Sequence, residues 1–230
     1  DLLAALAVVL LIVVAVNAVN LLDGADGVAG SAGLVTALGF VFLALIRDVD
    51  AIAPLLLAGS LGGFLILNWP KARIFLGDGG AYVVAAGLAY LAVSTTASSP
   101  DASGPWLPEL LVGVALLGVY LVDLVVTLLR RLLSRQPLFG GDRSHVYDQL
   151  ADMGWSAERV AIAVASTQFA LVTLIVIADW LVEPTLSAVI AVFLVHLAVT
   201  LLCAAGFASR RQPQVAASEI FQDPDSATTP

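Results

Sequence analysis

The sequence predicts an all-α protein, a polytopic membrane helix bundle with about seven transmembrane helices. Of its 230 residues, 60% are hydrophobic and 12% are charged, and the mean hydropathy is +1.00. The hydrophobic share and the mean hydropathy are too high, and the charged share is too low, for a water-soluble domain. The apolar residues also fall in runs long enough to cross a hydrocarbon core of about 30 Å, and the basic residues concentrate in alternate connections between those runs. Lipid is therefore the predicted solvent for most of the chain.

Seven apolar segments can be followed along the chain in order. Polar or Gly- and Pro-containing stretches separate them, and the second and third segments are short and rich in glycine. We predict one membrane domain over 1–208 and a cytoplasmic tail over 209–230, which is polar, contains proline and is expected to be disordered. The predicted spans are 2–22, 28–46, 51–67, 80–97, 107–129, 159–181 and 185–207.

The distribution of basic residues predicts the orientation of the chain. If the segment around 17–26 faces the cytoplasm, strict alternation of spans places nine of the ten basic residues on that side, and only Arg47 on the other. Positive charge retained in cytoplasmic loops sets membrane topology, so this segregation supports the span order and the orientation together. We therefore expect a multi-pass protein of the inner (plasma) membrane. The nine residues are Lys71, Arg73, Arg130, Arg131, Arg135, Arg143, Arg159, Arg210 and Arg211.

Charge and cysteine content exclude some classes of protein. The formal net charge of −8 argues against nucleic acid as a partner, because phosphate-backbone binding needs clustered Lys and Arg. The single cysteine, Cys203, excludes an intrachain disulfide and a cysteine-rich metal site.

A first polar cluster, NAVNLLDGADG over 17–27, places Asn17, Asn20, Asp23 and Asp26 at every third position, with glycines between them. Neighbouring members of such a series share a helix face. An ionised carboxylate at the bilayer centre costs about 2.5–3.5 kcal/mol on insertion scales, so two of them within four residues need water, a cation or each other. The cluster indicates a cation and substrate site; an ordinary helix end followed by a Gly/Asp loop at the interface is the alternative.

The second polar cluster is NWPKARIFLGDGG over 68–80, a connection between two spans that contains Asn68, Phe75 and Asp78. Glycines flank Asp78 just before a new helix, where free backbone N–H groups can meet a phosphate. Phe75 is either an interfacial anchor or an aromatic side chain that stacks on a nucleobase.

The third cluster is the basic segment 130–158, in which Arg143 and His145 stand in a polar context suited to phosphate contact. We expect these two residues to lie farther from the membrane helices than the arginines that set topology. Asp123 lies inside the fifth predicted span and faces either Arg130 or the common cavity, and an intramembrane carboxylate is by default a functional candidate. His196 has no acidic neighbour in sequence and is predicted to be a packed histidine.

The available ligands predict the kind of metal. Carboxylate, amide and hydroxyl oxygens suit a hard cation, so Mg²⁺, or Mn²⁺, held by one or two aspartates and by substrate phosphates fits this chain, and a zinc site does not.

These motifs resemble those of the polyprenyl-phosphate N-acetylhexosamine-1-phosphate transferases, the glycosyltransferase family 4 group that includes the MraY and WecA types. The segment 17–27 resembles the family element N-x-x-N-x-x-D-G-x-D-G position for position, and 68–80 is similar to N-x-x-P-A-x-x-F-x-G-D-x-G. Asp123, the paired arginines and DRSHVYDQL over 142–150 resemble the family's intramembrane Asp, paired Arg and His-containing loop. The resemblance extends to about residue 207.

The chain also departs from the family pattern. Lys71 stands where the family usually has Pro, and Ala81 where Ser is common. The third motif has one histidine in place of a cluster, which is closer to the WecA-like, O-antigen-initiating branch. The family's paired Asp motif lies upstream of the first element, so we expect a chain truncated by three or four N-terminal helices, which puts the activity of this fragment in question.

The resemblance implies a role for each matched residue. Asp78 is the principal Mg²⁺ ligand with Asp26 nearby, and Phe75 stacks on uracil. Asn17, Asn20 and Asp23 shape the nucleotide cavity, while Arg143 and His145 contact the sugar or the diphosphate. The residues assigned to catalysis are Asp23, Asp26, Asp78 and His145, and those assigned to substrate binding are Asn17, Asn20, Asn68, Phe75, Asp123 and Arg143.

The predicted reaction is transfer of an N-acetylhexosamine 1-phosphate from a UDP-sugar to a polyprenyl phosphate at the cytoplasmic membrane face, with release of UMP. The implied partners are the UDP-sugar, the polyprenyl phosphate lipid and the membrane, with a homodimer as a further expectation. A CDP-alcohol phosphotransferase is disfavoured because residues 28–46 lack the required Ala-Arg pair and spaced aspartates. A secondary transporter is the main alternative; its polar groups would sit at the membrane midplane.

Overall fold

The computed structural model describes residues 2–97, 106–137 and 145–207, and within these ranges all regular structure is helical. This confirms the predicted all-α class. The described helices are α1 (Leu2–Leu22), α2 (Val28–Ile46), α3 (Ile52–Asn68), α4 (Gly77–Ala97), α5 (Trp106–Ala115), α6 (Gly118–Leu133), α7 (Val146–Asp152), α8 (Ala157–Leu181) and α9 (Pro184–Ala204).

All seven predicted apolar segments are helical, and several of the helices are of membrane length. In the described part of the chain, α1, α2, α8 and α9 are long and apolar enough to cross a membrane, and α5 with α6 makes a fifth span if the bent pair counts as one. The helix α3 is apolar but has only 17 residues. The chain is thus a multi-pass membrane protein.

The helix α2 lies at the centre of the bundle. It packs against α3 and α8, while α1 packs against α4 and α5 against α9. In the most apolar 18-residue window of α2, 61% of the residues are buried, against 22% for both α1 and α9. The outer faces of α1 and α9 therefore carry exposed apolar side chains, as expected where lipid replaces water as the neighbour.

The prediction that 107–129 forms one continuous span is wrong. The segment divides into α5 and α6, whose axes are bent by 82°. The backbone groups of Leu116 and Val119 at the break bond to the side chain of Gln168 on α8, at 2.7 and 2.8 Å. Hydropathy along one segment cannot register an amide supplied by another helix, so the sequence pattern did not show the break.

Arg47, the one basic residue predicted for the outward side, forms an ion pair with an acidic residue of another helix. Arg47 follows the end of α2, and its guanidinium donates to both carboxylate oxygens of Asp179 at 2.8 and 3.0 Å. Glu109 on α5 lies 4.0 Å from the same guanidinium, and Ser187 on α9 donates to Asp179 at 3.1 Å. This buried ion pair ties four helices together at the end opposite the three polar clusters.

Candidate active site

The first polar cluster straddles the end of α1. Asn17 and Asn20 lie in its last turns, but the helix ends at Leu22, so Asp23 and Asp26 occupy the turn that leads into α2. The expectation of one shared helix face therefore holds for the two asparagines and is wrong for the two aspartates. The helix stops because two Asp-Gly pairs follow at 23–24 and 26–27, and Gly27 adopts a left-handed conformation with φ of 77°.

The second cluster is bonded directly to the first through Asn68 and Asp26. Asn68 is buried at the end of α3; its side chain accepts from Gly27 N at 2.9 Å and donates to Ile74 O at 2.9 Å. Asp26 accepts from Ala72 N at 3.1 Å. Asn68 thus holds the connection 69–76 against the aspartate turn, which is a positioning function and leaves it little room to touch substrate.

Asp78 and Asp23 face each other across the two clusters. Asp78 lies in the first turn of α4, exposed, and the carboxylate of Asp23 accepts a hydrogen bond from Gly77 N at the start of the same helix. Burial raises the pKa of Asp23 to about 6, the Gly77 hydrogen bond lowers it, and the negative charge of Asp78 raises it further. A cation placed between the two carboxylates would relieve this repulsion.

The surface around Asp78 is open. Phe75 is 76% exposed, next to this carboxylate in sequence, and Lys71 and Arg73 are also exposed. An exposed aromatic ring and two basic side chains beside a helix N-terminus are available to a base and to phosphate groups.

His145 is buried against the membrane helices, which overturns the expectation that it lies far from them. Its Nδ1 lies 2.8 Å from Asp123 Oδ2 on α6 and 3.2 Å from Thr127 Oγ1. The other carboxylate oxygen of Asp123 accepts from Val146 N at 3.0 Å, at the start of α7. Because a carboxylate only accepts, Nδ1 of His145 carries its hydrogen and the opposite ring nitrogen, Nε2, is left for other chemistry.

Tyr147 brings this third segment onto the first. Its ring stacks on that of His145, with centroids 5.4 Å apart and planes 4° apart, and its hydroxyl donates to Leu21 O at 3.2 Å. A Cβ atom at Gly24 would lie 1.9 Å from the Tyr147 hydroxyl oxygen, so only glycine allows this approach without displacing the tyrosine. The structure therefore joins all three polar clusters around the aspartate turn.

Several residues that help to build the site were not identified from the sequence. Tyr147 and Tyr120 read as ordinary aromatic residues, although Tyr120 donates to Ala29 O at 2.6 Å and fastens α6 to the first turn of α2. Thr127 had a detectable signal, since it stands four residues after Asp123 and so shares its helix face. Gln168 had one too, as an amide in an otherwise apolar stretch of α8.

Two other predicted residues lie away from the site or outside the described ranges. Arg143 falls outside the described residues, as do the 98–105 connection and the tail from 208 onward. His196 is exposed in a groove between α5 and α9, so the prediction of a packed histidine is wrong. The groove is apolar, with a volume of about 490 Å³, because small or β-branched residues on α9 leave a gap against α5.

The donor set suits a hard cation that shares its coordination with substrate. Within the described residues, no group of three His, Cys, Asp or Glu side chains is close enough to enclose a metal. Mg²⁺ is usually held by one or two carboxylates together with phosphate oxygens and water, and the carboxylates of Asp78 and Asp23 fit that arrangement.

These features define a class: a multi-pass helical membrane protein with a group of carboxylates, amides and a buried Asp–His pair at one end of the bundle. Residues 1–96 match the model of glycosyl transferase family 4.

Curated relatives carry related names. The chain is 34% identical over 150 residues to a decaprenyl-phosphate N-acetylglucosaminephosphotransferase of Mycobacterium leprae, a match that covers 57% of the chain and 37% of that relative. It is 33% identical over 148 residues to a putative glycosyltransferase of Streptomyces coelicolor, covering 64% of the chain and 35% of the relative. A probable undecaprenyl-phosphate N-acetylglucosaminyl 1-phosphate transferase of Bacillus subtilis is 29% identical over 102 residues, covering 44% and 27%. The matched segments thus span between 27% and 37% of the length of these relatives.

Proposed function

We propose that this chain belongs to an enzyme that transfers a sugar 1-phosphate from a UDP-sugar to a polyprenyl phosphate at the cytoplasmic face of the inner membrane. The observation that carries the proposal is the junction of three polar clusters at one end of an apolar bundle, with Asp23 facing Asp78 at the start of α4 and the Asp123–His145 pair docked beside them through Tyr147. The names of the relatives support N-acetylglucosamine as the sugar and a long polyprenyl phosphate as the acceptor.

In the proposed reaction, an oxygen of the lipid phosphate attacks the sugar-linked phosphorus of the UDP-sugar. The new P–O bond forms as the bond to the UMP oxygen breaks, so the products are polyprenyl-diphospho-sugar and UMP. Phosphoryl transfer of this kind depends on positioning and on neutralising charge. Mg²⁺, or Mn²⁺ in its place, would supply that neutralisation when held by Asp78, with Asp26 nearby, together with the diphosphate, and it would also offset the charge of Asp23.

The chain's own residues would bind and orient the substrates. Exposed Phe75 offers a face for the uracil ring, and Lys71 and Arg73 offer positive charge to the diphosphate. Asn17 and Asn20 would line the nucleotide cavity at the end of α1, with Asp23 at its base. Arg143, on the residues beyond the described ranges, keeps its proposed contact with the sugar or the diphosphate.

The roles of Asp123 and Asn68 are positional in this proposal. Asp123 is only 3% exposed and both of its carboxylate oxygens are occupied, one by His145 and the other by Val146 N. It therefore holds His145 by Nδ1 and would leave Nε2 for the substrate. His145, rather than Asp123, would contact the sugar phosphate or donate a proton to a leaving oxygen.

The geometry does not favour a transporter. A broken-helix transporter places its polar groups near the membrane midplane, whereas Asp23 and Asp26 follow the end of α1 and Asp78 lies in the first turn of α4. An assay of UMP release distinguishes the two functions, because a transferase releases UMP and a transporter does not. A homodimer stays a prediction without support from contacts in this chain.

The test is UMP release by membranes that contain the full-length gene product, supplied with UDP-N-acetylglucosamine, polyprenyl phosphate and Mg²⁺. We expect release that requires the lipid phosphate and the metal, and that falls at least 100-fold in Asp78→Asn. Asp48→Asn is the matched control, because Asp48 is an exposed carboxylate at the opposite end of α2, and its φ of 53° is one that asparagine adopts readily. Folded protein that releases no UMP from any UDP-sugar in a panel would refute the proposal.

A further inference from the structure

The break between α5 and α6 is closed by a single side chain. Gln168 is fully buried on α8, and its amide makes three hydrogen bonds. Its nitrogen donates to Leu116 O at 2.7 Å and to Thr36 Oγ1 at 2.7 Å, and its oxygen accepts from Val119 N at 2.8 Å. One amide thus satisfies an acceptor from the last turn before the break and a donor from the first turn after it.

The alternative to these bonds is costly inside a membrane. An 82° bend in an apolar span removes backbone groups from the helical ladder, and lipid offers them no partner. Gly118 lies at the bend, with a φ of 22°, and a Cβ atom there would stand 2.4 Å from the Gln168 oxygen. Backbone and amide are therefore in direct contact at the bend.

The bend decides where the chemistry of α6 lies. Tyr120 follows it by two residues and donates to Ala29 O, close behind the aspartate turn. Asp123 follows it by five residues and holds His145 at 2.8 Å. If α6 continued the direction of α5, neither contact could form, because both depend on the direction in which α6 leaves the break.

We propose that Gln168 is a positioning residue for the transferase site: it fixes the break between α5 and α6 and so sets the place of the Asp123–His145 pair against the aspartate turn. Gln168 touches neither the proposed substrates nor the reacting atoms. The inference rests on the proposed function for its effect on turnover, but its geometric part can be tested without any activity.

The geometric test uses two spin-label distances in a Cys203→Ser background. The first pair, at exposed Leu107 and Leu133, spans the break. With 1.5 Å of rise per residue, two helices of these lengths joined at this angle place the labelled ends roughly 30 Å apart, against roughly 40 Å for a straight span. The second pair, at exposed Lys71 and Met153, reports the position of the end of α7 relative to the second cluster.

In Gln168→Leu we expect the first distance to lengthen by several ångströms or to broaden, and the second to change with it. Gln168→Glu keeps an oxygen for Val119 N–H but at most one donor, so an intermediate change is expected, and this variant carries the test if the leucine variant does not fold. Thr167→Val is the matched control, because Thr167 is the exposed neighbour on α8 and bonds only within its own helix, to Ala163 O. It should change neither distance.

The activity test measures separately how Gln168→Leu changes kcat and KM for the UDP-sugar. Gln168→Leu should lower kcat for UMP release 10-fold or more with little change in KM for the UDP-sugar, because the nucleotide contacts lie on other elements. Unchanged distances in Gln168→Leu, or a changed first distance with an unchanged second one, would overturn the inference. A wild-type protein that is silent toward every UDP-sugar would refute the proposed function alone, since the two distances would still decide the role of Gln168.

Discussion

At the residue scale, the site is a set of polar groups that satisfy one another before any ligand arrives. Asn68 bonds to Gly27 and Ile74, Asp26 to Ala72, and Asp123 to His145 and Val146. Asp23 and Asp78 are the exception, because their negative charges repel each other. The groups that shift the pKa of Asp23 include no basic side chain. This pair is therefore the place where a cation gains most.

The raised pKa of Asp23 predicts a pH dependence for the metal-free protein. The folded pKa is about 6 and the unfolded value is 3.8, so the protonated carboxyl stabilises the folded state fully below pH 3.8, and this contribution is lost as the pH rises through about 6. Thermal unfolding of the metal-free protein, measured from pH 4.5 to 7.5 beside Asp23→Asn, should show the wild type losing stability relative to the variant across that range. Parallel curves would contradict the assignment, and added Mg²⁺ should shrink the difference at pH 7.5.

The Asp123–His145 pair predicts a graded response to substitution. Asp123→Asn removes the charged partner of His145 while keeping an oxygen for Val146 N, and it should lower kcat by about 10-fold or more. Thr127→Val removes only the longer contact to the same ring nitrogen, at 3.2 Å, and should stay within about 3-fold of the wild type. Equal losses in the two variants would show that the carboxylate has no special role.

At the scale of elements, the site depends on where helices end and not on what lies in their middles. The helix α1 ends at Leu22, α3 ends at Asn68 and α4 begins at Gly77, so the ends of three helices meet around one turn. The break between α5 and α6 brings a fourth helix, α6, to the site with Asp123. Helix ends leave backbone groups without intrahelical partners, which is why such a junction can bind polar ligands within an apolar protein.

Gly27 predicts a test of this junction. Its φ of 77° and the Trp69 side chain, 2.4 Å from where a Cβ would stand, oppose any larger residue, so Gly27→Ala should destabilise the protein by about 2 kcal/mol or more. Gly63→Ala is the matched control, because Gly63 is helical in α3 with nothing within 4 Å of its Cβ position. Alanine there should leave stability unchanged or raise it by about 0.5 kcal/mol. Thermal unfolding in detergent distinguishes the two, and equal melting temperatures would contradict the strain at Gly27.

At the scale of the whole molecule, the charges are divided between the two ends of the bundle. The proposed site gathers carboxylates, amides and basic side chains at one end, while the ion pair of Arg47 and Asp179 closes the other. Both side chains of that pair are largely shielded, at 11% and 5% exposure. Its function is structural, because it links α2 to α8 far from the aspartate turn.

Removing one member of the pair should therefore lower the stability of the fold and affect catalysis only through it. Arg47→Leu leaves Asp179 buried without its cation and should cost about 3–5 kcal/mol of stability. Adding Asp179→Leu should recover a large part of that loss, since a buried ion pair replaced by apolar side chains is often neutral. Unfolding of the single and double variants gives the coupling, and an Arg47→Leu variant as stable as the wild type would show that the pair is not a fastening point.

The sequence by itself determined the all-α membrane class, the order of the apolar segments and the three polar clusters, because apolar length and motif spacing are local properties of the chain. It also marked Asp23, Asp26, Asp78 and His145 as candidates. Only the tertiary structure decided that the fifth segment is broken, that His145 is buried on Asp123, that Tyr147 reaches Gly24 and that His196 faces a groove. Each of these depends on a partner supplied by a distant helix, and no pattern along a single segment contains the identity of that partner.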